Sequence, residues 1–155
     1  MLKSIEGNFD HPEVNQLLKK HFIELRAASP KGSIHVLDIP GLMVSSIKFW
    51  SLWEMNQLMG CGALKFLDKD HGEFKSIRMH ESFKGKGNGV KIVNHLTNKA
   101  KELNVKRLSI ETGSGGFFAP ARKLFNNCGF KPCAPFAHYK EDINSLYLTK
   151  LLDNN

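Results

Sequence analysis

The chain has 155 residues, of which 41% are hydrophobic and 24% charged, and this balance predicts one soluble globular domain over residues 1–155. Its net charge of +7 favours an anionic partner, which could be a nucleic acid, a membrane surface or a phosphorylated small molecule. The sequence has no apolar run of about 18 residues and no apolar signal segment, and its three cysteines lack metal-binding spacing, so we expect a cytoplasmic protein that spans no membrane.

The N-terminal part predicts a short strand over residues 2–6 and then a long helix. Apolar residues recur at helical spacing over Pro12–Ala28, and Asp10 is the expected N-cap. The segment 33–44 is ambiguous, because its apolar spacing fits a short helix that a Pro-Gly pair would end early.

The remainder predicts a hairpin and then alternating strands and helices. Residues 47–54 and 58–67 form the hairpin, in which Gly60 and Gly62 indicate a bulge or a close backbone approach. The later elements are a strand over 73–79, a long helix ending near 103, a strand over 105–112, a helix over 117–127 followed by Gly129, and a closing strand over 145–151.

A basic, glycine-rich segment joins the strand 73–79 to the long helix, with the sequence Lys84-Gly85-Lys86-Gly87-Asn88-Gly89. The start of a helix presents unpaired N–H groups and a positive dipole end, and glycine lets an anion approach the backbone. The segment therefore predicts a phosphate or pyrophosphate site. It fits neither the Walker loop nor the dinucleotide fingerprint, which would need glycine at Val90. The alternative is a solvated basic turn.

This segment resembles the acyl-CoA pyrophosphate loop of the GNAT acetyltransferase superfamily. The family signature is Arg/Gln-x-x-Gly-x-Gly/Ala. Gly87 and Gly89 match it, and Lys84 stands at the first position, where the signature has arginine or glutamine. The order of predicted elements also resembles that family, as does the late helix ending in Gly129-Phe130. More narrowly, residues 49–54, 60–65 and 111–113 resemble a branch of small, uncharacterised bacterial GNAT proteins. The implied fold is mixed α/β, with a central sheet that is splayed at the cofactor site and flanked by about four helices.

The resemblance implies an N-acetyltransferase that moves an acetyl group from acetyl-CoA directly to a primary amine, on a small molecule or a peptide, in a ternary complex. The cofactor would lie between the strand ending at Met79 and the strand 105–112. The backbone of Ile77 and Met79 would pair with the pantetheine arm, and the Met79 amide would polarise the thioester carbonyl. The implied cofactor-binding residues are Ile77, Arg78, Met79, Lys84, Gly85, Lys86, Gly87, Asn88, Gly89 and Phe125.

Two glutamates are candidates for the base that such a reaction needs, because an amine is mostly protonated near neutral pH. Glu73 is the first candidate, since strand alternation places it on the same face as Ile77 and Met79 and some family members carry a glutamate there. Glu111, near the end of the opposing strand, is the second. The alternative for each is a surface charge or a structural ion pair.

The general acid and the acceptor pocket are less well defined by the sequence. Phe125 occupies the position at which many family members carry a proton-donating tyrosine, and Phe118 replaces a frequent asparagine. Tyr139 or Cys128 could substitute, but spacing assigns neither. His35 and Trp50 are the candidate substrate contacts, with core packing as the alternative for Trp50.

Two other functions fit parts of the sequence. A GNAT-fold sensor would bind acyl-CoA without catalysis, as the missing tyrosine suggests. A nucleic-acid-binding module would use the positive charge, but the lysines are dispersed and no aromatic-basic RNA motif is present. We therefore expect acetyl-CoA and an amine as partners, with no nucleic acid, membrane or metal; a homodimer is compatible with the resemblance. Lys75 and Arg78 are expected on the solvated outer face of their strand.

Overall fold

Strands and helices follow one another close to the predicted order in the computed structural model, which describes residues 1–153. The strands are β1 (Leu2–Glu6), β2 (Ile47–Glu54), β3 (Gln57–Phe66), β4 (His71–Met79), β5 (Arg107–Gly113), β6 (Lys131–Pro132) and β7 (Ser145–Leu151). The helices are α1 (Pro12–Ala28), α2 (Ile39–Leu42), α3 (Asn88–Glu102) and α4 (Ala119–Asn127). No helix within residues 1–153 is long and apolar enough to cross a membrane.

Local chemistry explains where several elements begin. Helix α1 has the predicted bounds, but its N-cap is His11 and not Asp10: the His11 ring nitrogen Nδ1 accepts the Glu13 N–H at 3.2 Å. Within the ambiguous segment only Ile39–Leu42 is helical, as α2. The Pro40-Gly41 pair lies inside this helix and does not end it, because proline is tolerated in the first turn. Asp38 caps α2 by accepting the Gly41 N–H at 2.8 Å.

The strands form one seven-stranded sheet in the order β1-β2-β3-β4-β5-β7-β6. Neighbouring strands are antiparallel except β4 and β5, which are parallel. The predicted mixed sheet with four helices is therefore confirmed.

The two faces of the sheet carry separate hydrophobic cores. One face packs against α1 and α2, and its buried residues include Val14, Leu18, Leu42, Phe49 and Ala63. The other face packs against α3 and α4, and its buried residues include Leu64, Phe74, Val93, Leu96 and Phe125. Because both faces are covered, the middle strands are apolar on both sides.

The glycines predicted to mark a close approach do so. A Cβ atom at Gly60 would lie 2.4 Å from the Arg78 carbonyl oxygen, and one at Gly62 would lie 2.3 Å from Leu96 Cδ1. A side chain at Gly60 would collide with the backbone of β4, and one at Gly62 would push α3 off the sheet, so both glycines are required for the packing of the core.

Candidate active site

The parallel strands β4 and β5 separate partway along their length. They pair from His71–Arg107 to Glu73–Ser109, and beyond that point a cavity of about 480 Å³ lies between them. Its walls come from the later residues of β4 and β5, from α1 and the segment after it, and from the facing ends of α3 and α4. A ligand in this gap can reach the backbone edges of two strands.

A bulge in β4 determines which side chains face each end of the gap. Lys75 pairs with Ala63 and Arg78 with Cys61, so β4 holds one extra residue here, and Ser76 has a φ of +54°. The extra residue inverts the alternation of the strand. Ile77 and Met79 pack on the α3 side, as Phe74 does, whereas Glu73 and Lys75 face the α1 side. The prediction that Glu73 shares a face with Ile77 and Met79 is therefore wrong.

The basic, glycine-rich segment lies directly before α3, as predicted. Gly85, Lys86 and Gly87 all have positive φ, and Gly87 caps α3 without a side-chain hydrogen bond. Asn88 Nδ2 donates to the Phe83 carbonyl at 2.8 Å and holds the turn closed. No described heavy atom lies within 4 Å of a Cβ built at Gly85 or Gly87, which leaves room for a ligand beside the backbone. This geometry suits a phosphate group.

Both ends of the segment reach the cavity, since Lys84 and Gly89 line it. The Lys84 ammonium lies 3.5 Å from Glu81, which also pairs with Lys20 at 3.3 Å. All three side chains are well exposed, so these pairs are weak, and Lys84 can turn toward an anion at little cost.

Arg78 is only slightly exposed, in contrast to the solvated position expected from the sequence. Its side chain is 10% exposed, and Nη2 pairs with Glu24 of α1 at 2.8 Å. Arg78 Nε has no hydrogen-bond partner among residues 1–153. The neighbouring His21 is 5% exposed, and burial together with the Arg78 charge lowers its pKa from 6.5 to about 4.

We expect His21 to make the protein sensitive to acid. Above pH 6.5 the histidine is neutral in both states, whereas between pH 6.5 and about 4 only the unfolded chain takes up its proton. The free energy of unfolding should therefore fall by about 3 kcal/mol through this window. In urea unfolding measured at a series of pH values, His21→Leu should reduce this loss of unfolding free energy. His95→Leu, which removes a more exposed histidine, should reduce it less. Equal slopes for wild type and His21→Leu would contradict this.

Glu73 forms a buried cluster with two other side chains. It is 1% exposed, and its Oε2 accepts hydrogen bonds from Tyr139 Oη at 2.6 Å and Lys75 Nζ at 3.3 Å. Lys75 Nζ also donates to Tyr139 Oη at 3.1 Å. Burial and the neighbouring Glu73 charge raise the pKa of Tyr139, so its hydroxyl stays protonated. Lys75 is 10% exposed and lines the cavity, which differs from its expected solvated position.

Glu111, from β5, and His35, from the segment after α1, also line the cavity. Burial raises the pKa of Glu111 and lowers the pKa of His35. The His35 ring meets the Tyr139 ring edge-on at 5.0 Å. A carboxyl group with a raised pKa accepts a proton more readily near neutral pH, as a general base must.

Trp50 is placed differently from the substrate contact that the sequence predicted. It is 4% exposed, belongs to the core on the α3 side and is not among the residues that line the cavity. It pairs with Gly62 of β3, and its side chain belongs to the same core as Leu96 of α3. The structure therefore shows core packing, which was the alternative for this residue.

The late helix contributes apolar groups to the gap. Phe125 lines the cavity, is 3% exposed and packs edge-on against Phe130 with ring centroids 5.4 Å apart. Phe118 lies nearby, and burial raises the pKa of the Cys128 thiol in the adjoining core. The hydroxyl of Tyr139 is engaged with Glu73, so the general acid is not assigned.

Sequence reasoning missed the contributions of His21, Ser29, Ser33 and Lys75 to the cavity wall. None lies in a motif, and helix α1 and the 29–36 segment come beside β4 through tertiary packing alone. Within residues 1–153 no three His, Cys, Asp or Glu side chains cluster as a metal site would require.

A mixed sheet with a gap between two parallel strands and a glycine turn at the start of a helix define the GNAT class of acetyltransferases. The chain belongs to this class, because the sequence model of the Acetyltransferase (GNAT) family matches residues 13–130.

Individual relatives agree with this assignment. YsnE of Bacillus subtilis (strain 168), an uncharacterised N-acetyltransferase, is 45% identical over 140 residues, which cover 90% of this chain and 93% of YsnE. YedL of Escherichia coli (strain K12), another uncharacterised N-acetyltransferase, is 39% identical over 145 residues, covering 94% of this chain and 91% of YedL. The crystal structure of Campylobacter jejuni N-acetyltransferase PseH in complex with acetyl coenzyme A matches with a TM-score of 0.69 at 20% identity, over 99% of this chain and 100% of PseH. That likeness supports the fold.

Proposed function

We propose that this protein transfers an acetyl group from acetyl-CoA directly to a primary amine while both are bound. The observation that carries the proposal is the gap between β4 and β5, which has a glycine turn suited to a phosphate group at one end and the carboxyl groups of the buried Glu73 and the half-buried Glu111 along its wall. The PseH structure holds acetyl coenzyme A in the same fold.

The donor binds along the α3 side of the gap. The amides from Lys84 to Gly89 hold its pyrophosphate, because positive φ values and an uncapped helix start turn several N–H groups toward one point. Its pantetheine arm pairs with the backbone of Ile77 and Met79, where β4 has left β5. The Met79 amide then polarises the thioester carbonyl. Phe125 completes the wall on this side, and Arg78 lines the cavity from the α1 side, where it pairs with Glu24.

The acceptor binds on the α1 side, near His35. It arrives as an ammonium ion, and a carboxylate removes one proton before its nitrogen attacks the thioester carbon. The nitrogen bonds to the carbonyl carbon, the carbon–sulfur bond breaks, and CoA leaves as a thiolate. The second proton that the nitrogen loses on becoming an amide goes to this thiolate, directly or through solvent. Glu73 is the first candidate for the base, because it lies buried at the point where the strands diverge. Glu111 on the opposing strand is the second.

The test is release of CoA thiol in the presence of acetyl-CoA and a panel of amines: ethylamine, spermidine, the common amino acids and a peptide with a free N-terminus. We expect turnover with at least one amine and a product whose mass has increased by one acetyl group. Acetyl-CoA binding without turnover across the panel would favour a sensor instead. Salt-sensitive binding of duplex DNA, with no binding of acetyl-CoA, would favour the nucleic-acid class.

A further inference from the structure

The two oxygens of the Glu73 carboxylate have different surroundings. Oε2 accepts two hydrogen bonds, from Tyr139 and Lys75. Oε1 is buried and has no hydrogen-bond partner in the described part of the chain. Because a buried charged oxygen without a partner is costly, Oε1 is the atom that gains most from a donor brought by a ligand. Glu73 lines the cavity, so a ligand there lies beside it.

Tyr139 is held in place by its own surroundings. Its backbone N–H donates to the Phe136 carbonyl at 3.0 Å, and its ring contacts the rings of Phe136, Tyr147 and His35 at centroid distances of 5.1, 5.6 and 5.0 Å. The loop between β6 and β7 therefore delivers a fixed hydroxyl donor to a residue that lies 66 positions earlier in the chain.

A purely structural role explains this cluster poorly. Burying an ion pair such as Lys75–Glu73 generally stabilises a fold no more than apolar side chains of similar volume would. The cluster also lies at Glu73, the last residue of β4 that pairs with β5, where the gap opens.

We propose that Tyr139 and Lys75 are positioning residues that hold Oε2 of Glu73 and leave Oε1 to take the proton from the acceptor ammonium. This inference rests on the proposed function. The titratable groups that lie within electrostatic reach of Glu73 come from four parts of the fold and are Lys75, Tyr139, Glu111, His35 and His71.

The test compares Tyr139→Phe with Tyr147→Phe, using ethylamine as the acceptor. Both changes remove one hydroxyl from a largely buried tyrosine, but Tyr147 donates to the Lys140 carbonyl at 2.7 Å and does not touch Glu73. We expect Tyr139→Phe to lower kcat/KM at neutral pH about tenfold and to move the acidic limb of its pH profile up by about one unit, because the carboxylate form loses a strong donor. Tyr147→Phe should leave the limb in place.

Lys75→Met is the second variant and should move the acidic limb in the same direction. Thermal unfolding and acetyl-CoA binding of each variant report whether the fold and the donor site are intact. A folded Tyr139→Phe or Lys75→Met protein whose pH profile overlays that of Tyr147→Phe would overturn the inference. That result leaves the proposed function standing, whereas a wild-type protein that binds no acetyl-CoA overturns both.

Discussion

Replacing Gly87 with glutamate is expected to abolish acetyl-CoA binding, with a loss of affinity of about 100-fold or more, since each hydrogen bond to a charged group contributes about 1.5–3 kcal/mol. Gly87 has a φ of +75° and is the N-cap of α3. Glutamate strains this backbone and places a carboxylate where the pyrophosphate would bind, so the turn loses its shape and its electrostatic attraction together.

Gly7→Glu is the matched control. Gly7 also has a positive φ, of +79°, and open space around its Cβ position, but it follows β1 at the far edge of the sheet. The control therefore introduces the same charge and a similar backbone strain away from the cavity. It should bind acetyl-CoA like wild type.

Calorimetry measures the affinity of both variants for acetyl-CoA, and thermal unfolding measures how far the ligand raises their Tm. At 100 times its dissociation constant, acetyl-CoA should stabilise wild type by about 2.7 kcal/mol, which corresponds to a rise in Tm of roughly 5–11 °C for a domain of this size. Gly87→Glu should show no rise. If Gly87→Glu binds as tightly as Gly7→Glu, the glycine turn is not the pyrophosphate site.

The second large effect is expected from Glu73→Gln, which should lower kcat/KM for ethylamine by about 10²–10⁴-fold, the usual contribution of a positioned base. Glutamine keeps the shape of the side chain and cannot accept the proton. The acceptor 2,2,2-trifluoroethylamine separates deprotonation of the amine from acetyl transfer, because its electron-withdrawing fluorines leave much of it unprotonated at neutral pH. With that amine the variant should lose less than about tenfold, since most of it needs no base before its nitrogen attacks and water can take the proton released afterwards.

Glu111→Gln is the matched comparison, because it makes the same chemical change on the opposite wall of the gap. We expect a smaller loss with ethylamine than for Glu73→Gln. If Glu111→Gln shows the large, amine-dependent loss instead, Glu111 is the base, and its raised pKa is the reason. Wild type that acetylates only the fluorinated amine would argue against either carboxylate as the base.

Local patterns in the sequence determined most of the architecture. Apolar spacing defined α1 and β7 with their observed bounds, and the glycine segment between β4 and α3 predicted a helix start with free N–H groups. Gly60 and Gly62 predicted a close approach that the packing of α3 confirms. These features depend on residues near one another in the chain, so their spacing is sufficient to predict them.

The tertiary structure decided which side chains lie beside the carboxyl groups of Glu73 and Glu111 in the cavity. A single extra residue at Ser76 inverts the alternation of β4 and separates Glu73 from Ile77 and Met79, and nothing in a period-two pattern indicates which strand residue will bulge. The contact between Glu73 and Tyr139 joins a strand to a distant loop. Trp50 is buried because helices α3 and α4 cover the face of the sheet on which it lies. Sequence spacing specifies which residues share a helix face or strand, but the pairing of distant segments determines which of them meet in the cavity.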